Sequence, residues 1–301
     1  ASCLSMLPLA LASSTILSGH TYLVTALALN SKGHVISGAA DRTVKVWDVQ
    51  RGVCLRTLSV GGSFVAGLAV TSKDQVVVGP DFGAIQVWDV ESGVCVRNLT
   101  GHPSGDNRHR VTALTVVTRQ DQVVAGTYQE LTVWAAESGV YLRSMRGAHR
   151  EWVRALAVNS KDQVVSGADD GLVKLWDVER GECVRTLAGH GPFAVFSLAV
   201  NSKDQVISGS VNEIKVWDVA SGLAFRTLSG HTMFVRALAV NSRGQLVSGA
   251  GDKTVRLWDV ESGLGMRTLL GHEATVRAIV VNAKDQVISG ADDNTIRVWD
   301  V

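Results

Sequence analysis

A His, a Ser and an Asp recur four times in this chain of 301 residues at one fixed spacing: His20, Ser37 and Asp41; His149, Ser166 and Asp170; His231, Ser248 and Asp252; His272, Ser289 and Asp293. A hydroxyl, an imidazole and a carboxylate are the parts of nucleophilic acyl transfer, in which His takes the Ser proton and the acid orients the ring. Two observations oppose that chemistry. An active site is normally single, whereas this set is copied in four places, and no Gly-x-Ser-x-Gly elbow presents any of the serines.

The sets follow the period of a larger repeat. A β-branched run closes on Trp47, Trp88, Trp134, Trp176, Trp217, Trp258 and Trp299, at intervals of 41, 46, 42, 41, 41 and 41 residues. Asp follows in every case but Trp134-Ala135. A tandem period of ~40–45 residues with a Trp-Asp dipeptide points to a propeller of four-stranded blades. In the sixth copy, residues 234–240 alternate as a half-buried inner strand. Residues 245–250 and 254–258 read as the second and third strands, and 264–269 as the outer one, with polar or Gly-bearing turns between. The seventh copy reaches Val301 directly after its Trp-Asp, and residues 12–17 precede Gly19-His20 where an outer strand precedes Gly-His in other copies. An open sheet edge is costly. The expectation is therefore an all-β, seven-bladed propeller over residues 11–301, its antiparallel blades closed into a ring by the N-terminal strand pairing with the last blade. Residues 1–10 are read as an extension.

With Gly-His, Ser-Gly and Trp-Asp recurring in register, the sequence resembles the WD-repeat, β-transducin-like family over essentially everything from Leu11 to Val301. The resemblance implies a buried hydrogen-bond chain of Trp, Ser, His and Asp in each blade. The complete sets are the four above with Trp47, Trp176, Trp258 and Trp299 respectively. Each Ser then has an indole N–H to satisfy, which makes the triad-like sets structural. Three copies depart from the pattern. The second has Gly61, Val78 and Phe82 in place of His, Ser and Asp; the third carries an insertion, Pro103 to Arg110, after His102, with Ala125 and Tyr128 near the Ser and Asp slots. The fifth keeps His190 and Ser208 but shortens its turn to Val211-Asn212-Glu213. These three are expected to lack a full relay and to be held by packing.

Comparison of the copies separates the two ends of the ring. One end is monotonous, with Asn-Ser-Lys-Asp-Gln at 159 and 201 and nearly so at 282. The other, made of the loops before the inner strands and the turns between second and third strands, varies. Its loops carry Tyr22, Phe64, Trp152, Phe193, Phe234 and the insertion with His109 and Arg110. One slot just inside the inner strand holds Thr25, Ala66, Thr112, Arg154, Phe196, Arg236 and Arg277, and neighbouring turns add Asp169 and Asp292. The resemblance implies that these slots line the rim of a central channel where the family grips peptides and partner domains; aromatic and Arg side chains are the usual interface anchors. A second reading stands beside this one, in which the aromatics pack over adjacent blades and Arg154 and Arg277 pair with Asp169 and Asp292. The outer-strand arginines, at 56, 97, 143, 185, 226 and 267, read as solvated rungs that discourage edge pairing.

Composition excludes several classes. Lys plus Arg (29) nearly balance Asp plus Glu (28), so no global field draws nucleic acid or an acidic membrane, and Arg108-His109-Arg110 is the one basic cluster in favour of nucleic acid. No run approaches the ~18 apolar residues of a membrane helix. The apolar start, residues 1–12, has the look of a secretory segment but lacks its basic beginning. Cys54, Cys95 and Cys183 share one repeat slot, and equivalent slots in different blades lie beyond the ~7 Å Cα limit of a disulfide. They are expected to be free, buried thiols in a reducing, cytoplasmic setting. With no Cys-x-x-Cys, no His cluster outside the repeat slots and no ring of carboxylates for an axial metal, neither metal nor cofactor is expected.

The function expected is a non-catalytic scaffold that binds a partner peptide or domain on the variable rim, as a monomeric propeller or as part of a larger multidomain protein or complex. The alternatives are a reader of basic peptide tails, the substrate-recognition domain of a ubiquitin ligase and, behind both, a propeller hydrolase.

Overall fold

A computed structural model of the chain describes residues 14–100 and 110–301; the expected extension 1–10, Cys3 and the insertion as far as His109 lie outside the described residues. Alternating apolar strands separated by short turns fold into seven four-stranded antiparallel sheets. In the first blade these are Val24–Leu29, Val35–Ala39, Thr43–Asp48 and Val53–Ser59, from the inner strand to the outer. The last blade contains Val276–Val281, Val287–Ala291 and Ile296–Trp299, and its outer strand is Ser14–Leu17 from the start of the chain. Ser14 lies opposite Trp299 and Leu17 opposite Ile296. The ring is closed as the sequence implies. Arg297 reinforces the seam by donating to the Ser14 hydroxyl at 3.0 Å.

Adjacent blades are joined by a side chain and a hole. The second strand of each blade contains a glycine, and a β-carbon there would meet a valine of the next blade at a distance no real contact shows. For Gly38 the nearest atom is Val65 Cγ1 at 2.4 Å, for Gly167 Val195 Cγ1 at 2.5 Å, and for Gly249 Val276 Cγ1 at 2.5 Å. The pattern runs round the circle to Gly290, which receives Val24 of the first blade at 2.5 Å. Each receiving glycine thus lets two sheets approach closely enough to exclude water. The repeat tryptophans pack across the same seams. Trp47, for example, lies in one cluster with Val24 and Val35 of its own blade and Ile288, Ile296 and Val298 of the preceding one.

The polar surface adds further ties between blades. Ser31, Ser160 and Ser242 donate through their backbone N–H groups to Asp74, Asp204 and Asp285 of the next blade at 2.9, 3.0 and 2.9 Å. Of the six outer-strand arginines, Arg56 and Arg185 are exposed as expected of solvated rungs, but five also tie their blade to the next. Arg56, Arg97 and Arg185 reach the carbonyls of Ser92, Ala136 and Ala220 in the following blade at 3.3, 2.8 and 3.0 Å, and Arg143 and Arg226 do the same to Glu179 and Glu261. The Gly in the receiving turn serves this contact as well as its left-handed backbone: Gly263, at φ 78°, has Arg226 Cδ 2.8 Å from where a β-carbon would stand.

The cysteines correct another expectation. Cys54, Cys95 and Cys183 are free, but Cys54 and Cys183 are exposed and Cys95 is only partly covered. The outer strand is covered on one edge alone, and along Val53–Ser59 the residue that turns into the core is Leu58, not the thiol. Among the described residues no helix is long and apolar enough to cross a membrane.

The joint makes a direct prediction. Gly249→Ala should destabilise the chain by about 1–3 kcal/mol through overpacking against Val276, with no backbone strain to confuse the result. Val276→Ala in the same chain should recover part of that loss in chemical denaturation, and a Gly249→Ala protein as stable as the parent would refute the joint.

Candidate functional site at the channel mouth

The rim loops are fixed from beneath by buried relays. In the first blade Trp47 Nε1–H donates to Ser37 Oγ at 2.8 Å, the hydroxyl lies 2.7 Å from His20 Nε2, and His20 Nδ1 lies 2.8 Å from Asp41. Since Ser accepts from Trp, it donates to Nε2, which leaves the imidazole proton on Nδ1 to be donated to the carboxylate. The same connection runs through Trp176, Ser166, His149 and Asp170; through Trp258, Ser248, His231 and Asp252; and through Trp299, Ser289, His272 and Asp293. Ser37, Ser166, Ser248 and Ser289 are fully buried with their hydroxyls committed, so none can reach a substrate carbonyl as a nucleophile.

Each terminal carboxylate also accepts a backbone N–H from the loop that follows the His: Thr21 to Asp41 at 3.0 Å, Arg150 to Asp170 at 2.9 Å, Thr232 to Asp252 at 3.1 Å and Glu273 to Asp293 at 2.9 Å. The relay therefore anchors the segment that delivers the rim residues.

The fifth blade corrects the expectation of an incomplete relay. Trp217 donates to Ser208 at 2.7 Å, Ser208 meets His190 at 2.7 Å, and Glu213 takes the place of the missing Asp at 3.2 Å. Glu213 stands opposite Ser229, the register that Thr43 holds opposite Ser59 in the first blade. From this strand position its longer side chain reaches back over the shortened turn. In the second and third blades the indole is satisfied otherwise, Trp88 by the Gln86 side chain at 3.1 Å and Trp134 by the Thr100 carbonyl at 3.2 Å.

The slot residues enter the channel because the inner strand bulges at them. In the sixth blade Val235 pairs with Ala250 and Ala237 with Gly249, which leaves Arg236 as the extra residue. The same irregularity sets aside Thr25, Ala66, Arg154 and Arg277. A bulge re-aims a side chain, and here it turns each one from the sheet toward the axis. Together Thr25, Phe64, Ala66, Asp81, Arg110, Thr112, Arg154, Phe196, Arg236 and Arg277 line a cavity of about 250 Å³.

Charge at this mouth is arranged unevenly. Arg154 grips Asp169 with two nitrogens, at 2.9 and 2.6 Å, and Arg277 holds Asp292 likewise, its Nη2 at 2.9 Å. Arg110 pairs with Asp81 of the preceding blade. Among the described residues Arg236 has no carboxylate partner. Its guanidinium lies 4.4 Å from the centre of the Phe196 ring and 5.5 Å from that of Phe234. Burial, then the neighbouring Arg277 and Arg154, push its pKa below the usual guanidinium value.

The residues expected at the rim divide into groups. Phe64, Arg154, Arg236 and Arg277 line the mouth, with Asp169 and Asp292 engaged by their arginines. Phe234 packs edge-on against Phe196 at 5.2 Å, and Trp152, half-buried, lies 5.2 Å from Tyr128 with the Arg110 guanidinium 5.5 Å from its ring. Tyr22 and Phe193 are exposed on their loops and are not part of the lining. Asp81 was missed by sequence reasoning. It follows Ala66 by the spacing that separates Asp169 from Arg154, a signal legible from comparison of the copies.

A family model for the WD domain, G-beta repeat, matches residues 12–48, 139–177, 181–218, 223–259 and 265–300, more than half of the chain. The chain belongs to the WD-repeat family. The matches leave out residues 49–138, which hold the second blade and the first three strands of the third, the two blades in which the WD-repeat relay is replaced. Among curated proteins, the chain is similar to Mitochondrial division protein 1 of Schizosaccharomyces pombe, 51% identical over 43 residues, which are 14% of this chain and 7% of that protein. It is similar also to the Ribosome biogenesis protein BOP1 homologs of Drosophila grimshawi and Drosophila melanogaster, each 41% identical over 46 residues, 15% of this chain and 6% of those proteins. The aligned segments are about one repeat long, and they span less than a tenth of each of these relatives.

The relays give the WD-repeat ring a one-sided pH dependence. Burial, outweighing the pull of their carboxylate partners, lowers the pKa of His20, His149 and His190. Burial would raise Asp41 and Asp170, yet their hydrogen bonds and the adjacent imidazoles hold both carboxyls below the usual range. Depressed values of either kind stabilise the fold above the unfolded pKa, and that contribution is lost as pH falls. The denaturation midpoint should therefore decline below about pH 6.5 as the unfolded histidines take up protons, and again below about pH 4. A midpoint that holds or rises between neutrality and pH 5 would contradict the neutral-imidazole assignment.

Proposed function

We propose that this WD-repeat propeller is a non-catalytic interaction platform that binds a segment of a partner protein across the channel mouth. The observation that carries the reading is the convergence of Phe64, Phe196 and four arginines, delivered by different blades, on one concave end of the ring, with Trp152 beside it against Arg110. Aromatic and Arg side chains in a cleft are what interfaces use as anchors. The acids that would attract a basic tail, Asp81, Asp169 and Asp292, are each engaged by an arginine, which weighs against a reader of basic peptides. The free thiols favour work in a reducing compartment such as the cytoplasm. The platform acts alone or as the recognition part of a larger protein or complex.

Random peptides selected from a display library on the immobilised chain test this. Binders should weaken at least tenfold with Trp152→Ala, as expected on removal of an interface anchor worth about 2 kcal/mol or more, and should be indifferent to Val94→Ser on an outer strand. Selected peptides that ignore Trp152→Ala and respond to Val94→Ser would move the binding surface to the circumference.

A further inference from the structure

Within that proposed interaction site, the internal symmetry of the ring shows which charge is missing. In the fourth and seventh blades the slot arginine is matched by an Asp fifteen positions later, Asp169 for Arg154 and Asp292 for Arg277. In the sixth blade the same position is Gly251. The equivalence is structural as well as numerical: the backbone N–H groups of Asp169, Gly251 and Asp292 each donate across the turn, to Trp152, Phe234 and Thr275, at 2.9 Å. Arg236 is thus built like its neighbours but without its acid. Its guanidinium is held by the Phe196 face and lies among charges that are already neutralised in pairs.

We infer that the channel mouth takes a carboxylate side chain of a partner peptide, an Asp or Glu, whose oxygens occupy the place left by the absent Asp of the sixth blade and accept from Arg236. The contact with the Phe196 face spends none of the N–H donors of the guanidinium, which among the described residues have no acceptor, and a guanidinium offers them as a fork that suits a planar carboxylate. A partly desolvated cation without a counter-ion gains more from an incoming anion than an exposed one does. The cavity of about 250 Å³ suits one such side chain with its neighbours resting on the aromatic rim.

The test uses twelve-residue random peptides displayed against the full chain, with Arg236→Gln and Gly251→Asp as variants. Selected binders should share an acidic residue, and its amide replacement should cost about 10- to 100-fold in affinity, the range for a hydrogen bond to a charged group. Arg236→Gln should cost the same factor and make the amide replacement silent. Gly251→Asp should do likewise by supplying the acid internally. The added β-carbon would stand 3.1 Å from Met233 Cβ, which asks the loop backbone to give by a few tenths of an ångström, so the melting midpoint of each variant is read beside its binding, and the two variants remove the free cation by different means. Binders that depend on Trp152 but carry no acid, or whose acid is not coupled to Arg236, would overturn the inference and leave the interaction site standing. Binders that ignore Trp152 as well would remove the site itself.

Discussion

Seating a valine of one blade in the glycine hole of the blade before it is the contact on which this ring depends. Each joint has no room for one more methyl group, as the 2.4 Å between Val65 and the place of the missing β-carbon of Gly38 shows. Such joints fix the angle between sheets, and seven of them must agree for the ring to close on itself. The valine has a second consequence. It is the last residue before the bulge, so the side chain after it is presented to the channel from a backbone that packing has already immobilised. Val235 and Arg236, or Val276 and Arg277, are one structural unit with a buried half and a displayed half. The displayed half is free to vary because the buried half carries the closure.

Hydrogen bonding is organised around the same unit. The relay from Trp through Ser and His ends on a carboxylate that also accepts from the loop upstream of the valine. An indole N–H, a hydroxyl and an imidazole buried without partners would cost several kcal/mol per blade, roughly 1–3 for each group left unsatisfied. The relay avoids that cost and uses its terminal acid to orient the loop. This explains why a Ser, His and Asp set can recur so often without chemistry: its lone pairs and protons are consumed inward, and the only product at the surface is a fixed loop. Where the relay is replaced, in the second and third blades, the indole finds a local acceptor in Gln86 or the Thr100 carbonyl.

Architecture was legible in the sequence because it rests on periodic, short-range features. The Trp interval, the Gly-His and Ser-Gly pairs and the strand-like run before Gly19 led to the number of blades and to the strand that closes the last one. Features that failed to show were those made between blades or by unequal side chains. Glu213 replaces an Asp from a different strand position, which no alignment of turn residues would reveal. The ties that five of the outer-strand arginines make were not legible, since their acceptors are carbonyls of the next blade, about 35 residues onward, and carbonyls leave no mark in a sequence. The cysteines looked buried because their slot is regular, yet regularity in an edge strand does not imply cover. At the mouth, Arg154 and Arg277 and their acids were recognisable within a blade, while the pairing of Arg110 with Asp81 crosses a seam and was not.

The mouth also shows how a repeat protein gains a distinct site from copies that are nearly alike. Seven equivalent slots provide a symmetric ring, and symmetry alone offers no preferred place for a ligand group. Here the fourth and seventh blades keep an Arg with its Asp, the first and third place a hydroxyl that bonds carbonyls, and Thr25 in this way satisfies the Gly38 carbonyl at 3.0 Å. Those slots are internally complete. The fifth and sixth together hold a ring face and a cation whose acid position is glycine. Losing one carboxylate from an otherwise repeated pair leaves a local positive charge on a chain whose net formal charge is only +1, and no change in the scaffold is needed to create it. Because the valine joints and relays on either side are intact, this charge, unpaired among the described residues, is held in a rigid frame, the condition under which a single polar group can discriminate between ligands.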